Sequence, residues 1–272
     1  MIIYLKSIIF GVVQGITEFL PVSSSAHLAL LHKIFLLPIE NELAFDVALH
    51  FATLIAVVFY FRKDILMMIR SFLKSFLGQR DEFSALSWFI VLGTVPAGLA
   101  GWFFNDFIEN RFRGILTIAV MLVLIGILFI LSEKFSAKLV TYKNLNWFNA
   151  FLIGCAQAIA LIPGTSRSGI TIIAGLFSGL QREKAVRFSF LLSIPIIFGA
   201  FIKKIPQIAG VDLSGNEMRV IIFAGLSAFF AAFYAISYFI KFTKNKGLQI
   251  FAYYRFILAF FLFILYLLYG NI

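Results

Sequence analysis

The fold is decided by the stretch GVVQGITEFLPVSSSAHL, residues 11–28, which recurs in altered form as GCAQAIALIPGTSRSGIT, residues 154–171. The two stretches align at a spacing of 143 that drops to 142 before the prolines, so that Ser24 matches Ser166. Both place proline, serine and ionisable residues inside apolar sequence. This repetition predicts a chain built from two related halves.

The composition is that of an integral membrane protein. Of the 272 residues, 61% are hydrophobic, 13% are charged and 35 are Phe, and the mean hydropathy is +0.98, which is outside the range of soluble domains. We expect six membrane-spanning helices, in the apolar stretches 44–61, 84–104, 113–131, 186–202, 219–240 and 250–269. Because the first motif begins at Gly11, we expect no cleavable signal peptide before it.

Each motif is predicted to be the tip of a re-entrant helix-loop-helix hairpin, because non-helical backbone at membrane depth is tolerated only inside protein or beside a cavity. One hairpin and three spans in each half would turn the second half upside down. The predicted fold is therefore an all-α integral membrane protein with six transmembrane helices, two re-entrant hairpins and an inverted-topology repeat. The single membrane domain, 1–272, would divide into repeats 1–135 and 145–272. The alternative is that the motifs are plain connecting loops with a chance likeness.

Basic residues predict the orientation of the chain. Fourteen Lys and Arg fall in the segments 62–82, 132–146, 182–187 and 241–246, against seven in the opposite connections. By the positive-inside rule the richer face is cytoplasmic, and both termini lie outside. The net charge of +10 then reflects topology, and we expect no nucleic-acid partner because no soluble domain carries a basic stripe.

The first motif offers groups for proton transfer. Glu18 lies in apolar sequence, where a carboxylate is costly and faces a cavity or a partner, although a protonated Glu bonded to a neighbouring helix is the alternative. Ser24 is a candidate nucleophile, with Glu18 and His27 as candidate bases, but serines after a proline are also ordinary N-caps. His32 and His50 are interpreted as core residues, although His50 could line the same cavity.

The second motif adds positive charge. Arg167 lies between two serines at the start of a predicted helix, and a structural ion pair with Glu18 is the alternative to a phosphate-binding role. A planar guanidinium among hydroxyls and free helix amides is typical of a phosphate site. The residues expected to bind substrate phosphate are Gln14, Ser23, Ser25, Thr165, Ser166, Ser168 and Thr171.

If the two hairpins meet, their side chains suit phosphoryl transfer from a lipid-borne substrate. Ser24 or an activated water would attack in line, while Arg167 and the helix N-termini stabilise charge on the phosphoryl oxygens. His27 could protonate the leaving phosphate, or Glu18 could be the base.

Three motifs carry a resemblance to a known family: the (E/Q)xxxE element from Gln14 to Glu18, LPVSSSAH at 20–27 and PGTSRSGIT at 163–171. Together they resemble the undecaprenyl-pyrophosphate phosphatase family linked to bacitracin resistance, and the likeness covers essentially the whole chain. It implies a multi-pass enzyme of the bacterial plasma (inner) membrane that hydrolyses C55 isoprenyl pyrophosphate to the monophosphate carrier for peptidoglycan synthesis. Phosphate would be released on the outer, periplasmic face.

The resemblance implies that Glu18, Ser24, His27 and Arg167 are catalytic. The chain departs from many members at Gln14, where they have Glu, which puts any mechanism with two carboxylates there in doubt. The family is described as needing a divalent cation, Mg or Ca. The metal ligands are unknown, because Glu18 is the only acid in either motif, and it could reach a cation bridged by substrate phosphates.

The alternative function is a lipid-phosphate flippase or transporter, since inverted repeats with broken helices also build transporters. The same phosphate cradle would then hold a headgroup in transit. In either case the expected partners are an isoprenyl pyrophosphate lipid and the bilayer, and a homodimer is an open expectation.

Overall fold

The structure is a computed structural model that describes residues 2–35, 37, 39, 41–136, 144–210 and 213–270. All regular elements in these ranges are α-helices. They are α1 (Ile2–Phe19), α2 (Ser24–Ile34), α3 (Glu42–Tyr60), α4 (Arg62–Ser75), α5 (Glu82–Phe112), α6 (Ile115–Ser136), α7 (Trp147–Ile159), α8 (Arg167–Phe177), α9 (Arg182–Ile208), α10 (Gly215–Asn245) and α11 (Gln249–Tyr269).

Among the described residues, seven helices are long and apolar enough to cross a membrane, which makes the chain a multi-pass membrane protein. Six of them, α3, α5, α6, α9, α10 and α11, coincide with the six predicted spans, although α3 ends at Tyr60 and α6 begins at Ile115, and the helical nature of the spans is confirmed. The seventh is α1, whose 18 residues the prediction assigned to a hairpin. In the second half, α7 and α8 are shorter, with 13 and 11 residues.

The connection 62–82, used in the sequence for its basic residues, is partly helical. It contains α4, which begins one residue after α3 ends, with Phe61 as the only residue between the two helices. With 14 residues and several charges, this helix lacks the long apolar stretch by which a membrane span is predicted. Two other lysines used for orientation, Lys138 and Lys143, lie outside the described residues.

Both motifs break the helix and restart it at a serine with unusual backbone. Ser23 has φ 75° and Ser166 has φ 70°, and each is the N-cap of the helix that follows. These residues are 143 apart, so the drop of the spacing to 142 is wrong at the serines. When Ser23 is aligned with Ser166, Pro21 and Pro163 stand one position apart in their turns. The alignment of the caps is defined by backbone conformation, which the prolines do not share. Arg167 is therefore the counterpart of Ser24, not of Ser25.

Helix packing follows the same pairing in the two halves of the chain. Helix α1, which precedes the break of the first motif, runs along α10, and helix α7, which precedes the break of the second motif, runs along α5. In each pair a glycine lies against the backbone of the partner helix: a Cβ on Gly11 would lie 2.1 Å from the carbonyl oxygen of Ala224, and one on Gly154 would lie 2.5 Å from that of Gly93. Small residues at these points let the helix backbones approach, which brings both motif tips to the centre of the molecule.

Candidate active site

Glu18 is the centre of a buried polar cluster at the end of α1, and its side chain is only 7% exposed. Its Oε2 atom accepts hydrogen bonds from Ser24 Oγ at 2.8 Å and from Gln14 Nε2 at 3.1 Å. Its Oε1 atom lies 3.1 Å from Arg167 Nη2. One carboxylate thus binds a hydroxyl from its own hairpin and a guanidinium from the other.

The two hairpin tips also contact each other directly. The amide of Gly164 donates to Ser25 Oγ at 3.3 Å, and Ser168 Oγ donates to the carbonyl of Leu20 at 3.3 Å. Each tip therefore uses the serine two residues after its N-cap to bind the backbone of the other tip. These serines, expected to hold phosphate, position the tips in this structure.

The strained caps aim two helix N-termini into the same region. In each hairpin the cap hydroxyl lies near the hydroxyl two residues later, at 3.1 Å for Ser23 and Ser25 and at 3.2 Å for Ser166 and Ser168. A non-glycine residue at positive φ is held there at a cost of about 1 to 3 kcal/mol by the surrounding structure. The first turns of α2 and α8 present free amides and the positive ends of their dipoles, which suits an anion.

Arg167 is buried with spare hydrogen-bonding capacity. Its Nη2 reaches Glu18, its Nη1 donates to the carbonyl of Ser189 at 3.3 Å, and its buried Nε has no partner among the described residues. The pair with Glu18, kept as an alternative by the sequence, is therefore present. Because the guanidinium is bound to Glu18 through a single N–H, other donors are left for an incoming anion.

The two threonines expected at the site have other contacts. Thr165 Oγ1 lies 2.7 Å from the carbonyl of Ile162, and Thr171 Oγ1 lies 2.8 Å from the carbonyl of Arg167. Thr171 Oγ1 also lies 2.7 Å from Ser189 Oγ on α9. Both side chains are buried, and their contacts stabilise the second hairpin around Arg167.

His27 lies on α2, but its ring is turned to partners other than Glu18. Its Nδ1 lies 2.7 Å from the carbonyl of Ser23, so this nitrogen carries a proton, because a carbonyl can only accept. Its Nε2 lies 2.6 Å from the hydroxyl of Tyr254 on α11, and the two rings stack. His27 therefore has both ring nitrogens occupied and would have to change partners to protonate a phosphate.

The imidazole beside the carboxylate belongs to His50 of α3, which the sequence interpretation assigned to the core, with the cavity as the alternative. Its Nδ1 lies 3.3 Å from Glu18 Oε2 and 3.0 Å from Gln14 Nε2, and its side chain is 40% exposed. Nδ1 can donate to the carboxylate or accept from the amide, depending on the tautomer, but it cannot do both. The sequence feature that could have identified His50 as a site residue is its position in the middle of an apolar span, because an ionisable residue there faces a cavity or a partner.

Arg255 is a second residue that the motifs did not reveal. Its side chain on α11 is 0% exposed, and its contacts are backbone carbonyls. It donates to Pro21 of the first tip at 3.1 Å, to Gly164 and Thr165 of the second tip at 2.8 and 2.9 Å, and to Leu122 of α6 at 3.3 Å. One guanidinium thus ties both motif tips to two long helices.

The residues do not fit a divalent cation held by the protein alone. No group of three or more His, Cys, Asp or Glu suited to a metal occurs in the described ranges. Mg and Ca take six or more oxygen ligands, and the carboxylate of Glu18 is already bound to Arg167, Ser24 and Gln14. The lone Cys155 adds no further ligand.

Comparisons with known proteins agree with the motifs. Residues 7–261 match the family described as bacitracin resistance protein BacA. A protein named undecaprenyl-diphosphatase from Marinobacter nauticus is 43% identical over 256 residues, covering 93% of this chain and 96% of its own length. Proteins of the same name from Thermodesulfovibrio yellowstonii and Rubrobacter xylanophilus are 43% and 41% identical over 262 and 264 residues, covering 96% and 95% of this chain and 96% and 97% of theirs. The chain belongs to the bacitracin resistance protein BacA family.

Proposed function

We propose that this protein is an undecaprenyl-pyrophosphate phosphatase, which hydrolyses the C55 isoprenyl pyrophosphate to the monophosphate and inorganic phosphate. The names of the relatives support this activity, and bacitracin resistance goes with the family. The observation that carries the proposal is the contact chain from Ser24 Oγ to Glu18 at 2.8 Å and from Glu18 to Arg167 at 3.1 Å. A hydroxyl, a base and a guanidinium in contact are the parts that phosphoryl transfer needs.

The proposed first step uses Ser24 as the nucleophile. Glu18 accepts the hydroxyl proton, Oγ forms a bond to the terminal phosphorus, and the bond from that phosphorus to the bridging oxygen breaks. The lipid monophosphate leaves with the electron pair and takes the proton from Glu18. Arg167 moves from Glu18 to the phosphoryl oxygens, where charge spreads in the transition state.

A second step would release phosphate from Ser24. A water attacks the phosphoserine phosphorus, Glu18 accepts the proton of that water, and the broken Oγ–P bond leaves Ser24 to be protonated by Glu18. Direct attack by water, with Ser24 only holding it, gives the same products. The two routes differ in whether the terminal phosphate becomes bound to the protein.

The function is tested by phosphate release from a long-chain prenyl pyrophosphate by purified protein in detergent. Arg167→Ala and Ser24→Ala are expected to lower turnover by at least 100-fold, as for loss of one stabilising donor or of a nucleophile. Ser7→Ala is the matched control, because Ser7 binds the carbonyl of Tyr4 far from the motif tips. If Arg167→Ala and Ser24→Ala are folded and their turnover equals that of the wild type, the proposal is refuted.

Substrate labelled in its terminal phosphate separates the two routes. Rapid acid quench of the wild type should give labelled protein that Ser24→Ala does not give. Hydrolysis without any labelled protein at the earliest times would assign the attack to water.

The role of His27 is tested in the same assay of phosphate release. Because both ring nitrogens of His27 have other partners, we expect a smaller loss of turnover for His27→Ala than for Arg167→Ala.

The alternative is a lipid-phosphate flippase, which the paired packing of α1 with α10 and of α7 with α5 favours. That pairing also supports a division into inverted repeats 1–135 and 145–272, each with one re-entrant hairpin. Transport of labelled prenyl phosphate across proteoliposomes without phosphate production would select the flippase. A nucleophile in contact with a base favours hydrolysis, because carriage of a headgroup needs no nucleophile.

The location proposed is the plasma membrane, with both termini outside and the site open to the outer face, on the distribution of basic residues. Cysteine labelling in a Cys155→Ser background tests this topology. A cysteine at Arg70 should be protected from an impermeant reagent in intact cells, and one at Asp106 should react. The opposite labelling pattern would show that the proposed orientation is inverted. The oligomeric state is a separate question, and light scattering of the purified protein would decide between a monomer and a homodimer.

A further inference from the structure

The helix α4 has a surface that the membrane spans and the active site leave unexplained. It occurs in the first half only, since six residues join α9 to α10 in the second half. At 14 residues it is too short to cross a bilayer. It leaves the end of α3 after a single residue, at Phe61, so it lies where a membrane span ends.

One face of α4 packs against the start of α5. Met68 and Ser71 are buried on this face. Ser71 Oγ donates to Asp81 at 2.8 Å, and the carbonyl of Met68 accepts from Ser87 at 3.1 Å. These contacts fix the rotation of the helix about its own axis.

The face turned away from α5 is apolar and exposed. Leu66, Ile69 and Leu73 on this face are 55%, 53% and 61% exposed. Their spacing of three and four residues puts them in one stripe of the helix. Exposure of such an apolar stripe to water is unfavourable, whereas at a membrane surface the stripe enters the region between headgroups and acyl chains.

A row of basic residues borders this stripe. Lys63, Arg70 and Lys74 are spaced by seven and four residues and are exposed. Within the part of the chain that the structure describes, their side chains form no ion pair. Basic residues beside an inserted apolar face lie at the level of the lipid phosphates, where anionic lipids attract them.

The basic row continues into a cavity at the beginning of α4. This cavity, of about 480 Å³, is lined in part by Tyr60, Arg62, Lys63, Asp64, Glu183 and Arg187. Each acid is already paired, Asp64 with Arg187 at 2.6 Å and Glu183 with Lys244 at 3.3 Å. Arg62 and Lys63 have no acidic partner among the described residues, and two uncompensated positive charges at one cavity suit a phosphate diester.

We propose that α4 is a membrane-surface helix whose apolar stripe inserts among the acyl chains and whose basic row and adjoining cavity bind anionic phospholipid headgroups. The ligand class is a glycerophospholipid with a net negative charge. The proposed site shares no residue with the cluster around Glu18, and the lipid takes no part in the reaction.

The lipid dependence of thermal unfolding tests the headgroup site. Phosphatidylglycerol, titrated into protein in neutral detergent, should raise the Tm of the wild type, and phosphatidylcholine should not. In the triple variant Lys63→Gln, Arg70→Gln, Lys74→Gln the half-saturating fraction of phosphatidylglycerol should rise tenfold or more, since each lost basic residue weakens the attraction roughly fivefold. The matched control carries the same charge change at three exposed lysines elsewhere: Lys134→Gln, Lys241→Gln, Lys246→Gln.

Insertion of the apolar stripe is measured separately. In a Cys155→Ser background, a bimane at Leu73→Cys should be quenched by lipids that carry a nitroxide near the headgroup, and one at Gln79→Cys should be quenched less. Equal quenching at both positions, or a triple variant with the lipid response of the control, would overturn the proposal.

Discussion

The clamp formed by Arg255 predicts that a residue without contact to Glu18 sets the geometry of the site. The perturbation is Arg255→Met, which keeps the unbranched chain and removes the guanidinium. Pro21, Gly164 and Thr165 would each lose the hydrogen bond to their carbonyl. The carbonyl of Leu122 lies within α6 and keeps its helical partner.

The expected loss follows from three carbonyl contacts. Hydrogen bonds inside membrane proteins average about 0.6 kcal/mol in double-mutant cycles, which gives roughly 2 kcal/mol for three. Charge-assisted bonds contribute about 1.5 kcal/mol or more each, which gives roughly 5 kcal/mol for three. If this energy is lost from the positioned tips, turnover falls by at least roughly 30-fold, since 1.4 kcal/mol corresponds to a factor of ten.

The assay is phosphate release at saturating and at limiting substrate, together with the Tm of the same preparation. Arg255→Met is expected to lower kcat more than it raises KM, because the tips carry the reacting groups. Arg255→Lys should recover part of kcat, since an ammonium reaches some of the carbonyls but lacks the planar fork. A folded Arg255→Met protein with kcat within twofold of the wild type would refute the positioning role.

Three further outcomes are expected. His50→Gln should lower kcat about tenfold, because it removes the imidazole that lies 3.3 Å from Glu18 Oε2, whereas the control His32→Gln should leave kcat unchanged. Gly11→Val should lower the Tm by a loss of about 1 to 3 kcal/mol, because its Cβ would meet the backbone of Ala224; Gly98→Val, with nothing within 4 Å, should not. Calorimetry should show no saturable binding of Mg or Ca to the protein alone, and tight binding without substrate would contradict the single-carboxylate site.

The membrane spans could be predicted from the sequence because the bilayer fixes their length. An apolar stretch of about 20 residues has few other uses, so the positions of α3, α5 and α6 followed directly. The polar motifs could be located for the related reason that a buried carboxylate or guanidinium needs a partner. The ion pair of Glu18 with Arg167 was for this reason one of the two alternatives that the sequence offered for Arg167.

Other features have no signature in a single sequence. The partners of Arg255 are backbone carbonyls, which any residue supplies, so its role depends on tertiary geometry alone. His50 was hidden because a single histidine in an apolar span is most often a core residue. The spacing error arose because residue types at a turn do not reveal which residue takes positive φ, and Ser23 and Ser166 carry that information only in the backbone.

The corrected register gives the two motifs complementary parts in one site. The residue after each strained serine reaches the same carboxylate: Ser24 binds one oxygen of Glu18 and Arg167 binds the other. Glu18 and Arg167 neutralise each other, so the uncompensated charge at the tips is that of Arg255, whose contacts are carbonyls. Under the proposed function, a pyrophosphate would supply the missing negative charge, release Arg167 from Glu18 and leave that carboxylate free to accept the proton of Ser24. Binding of the anion and activation of the base would then be the same event.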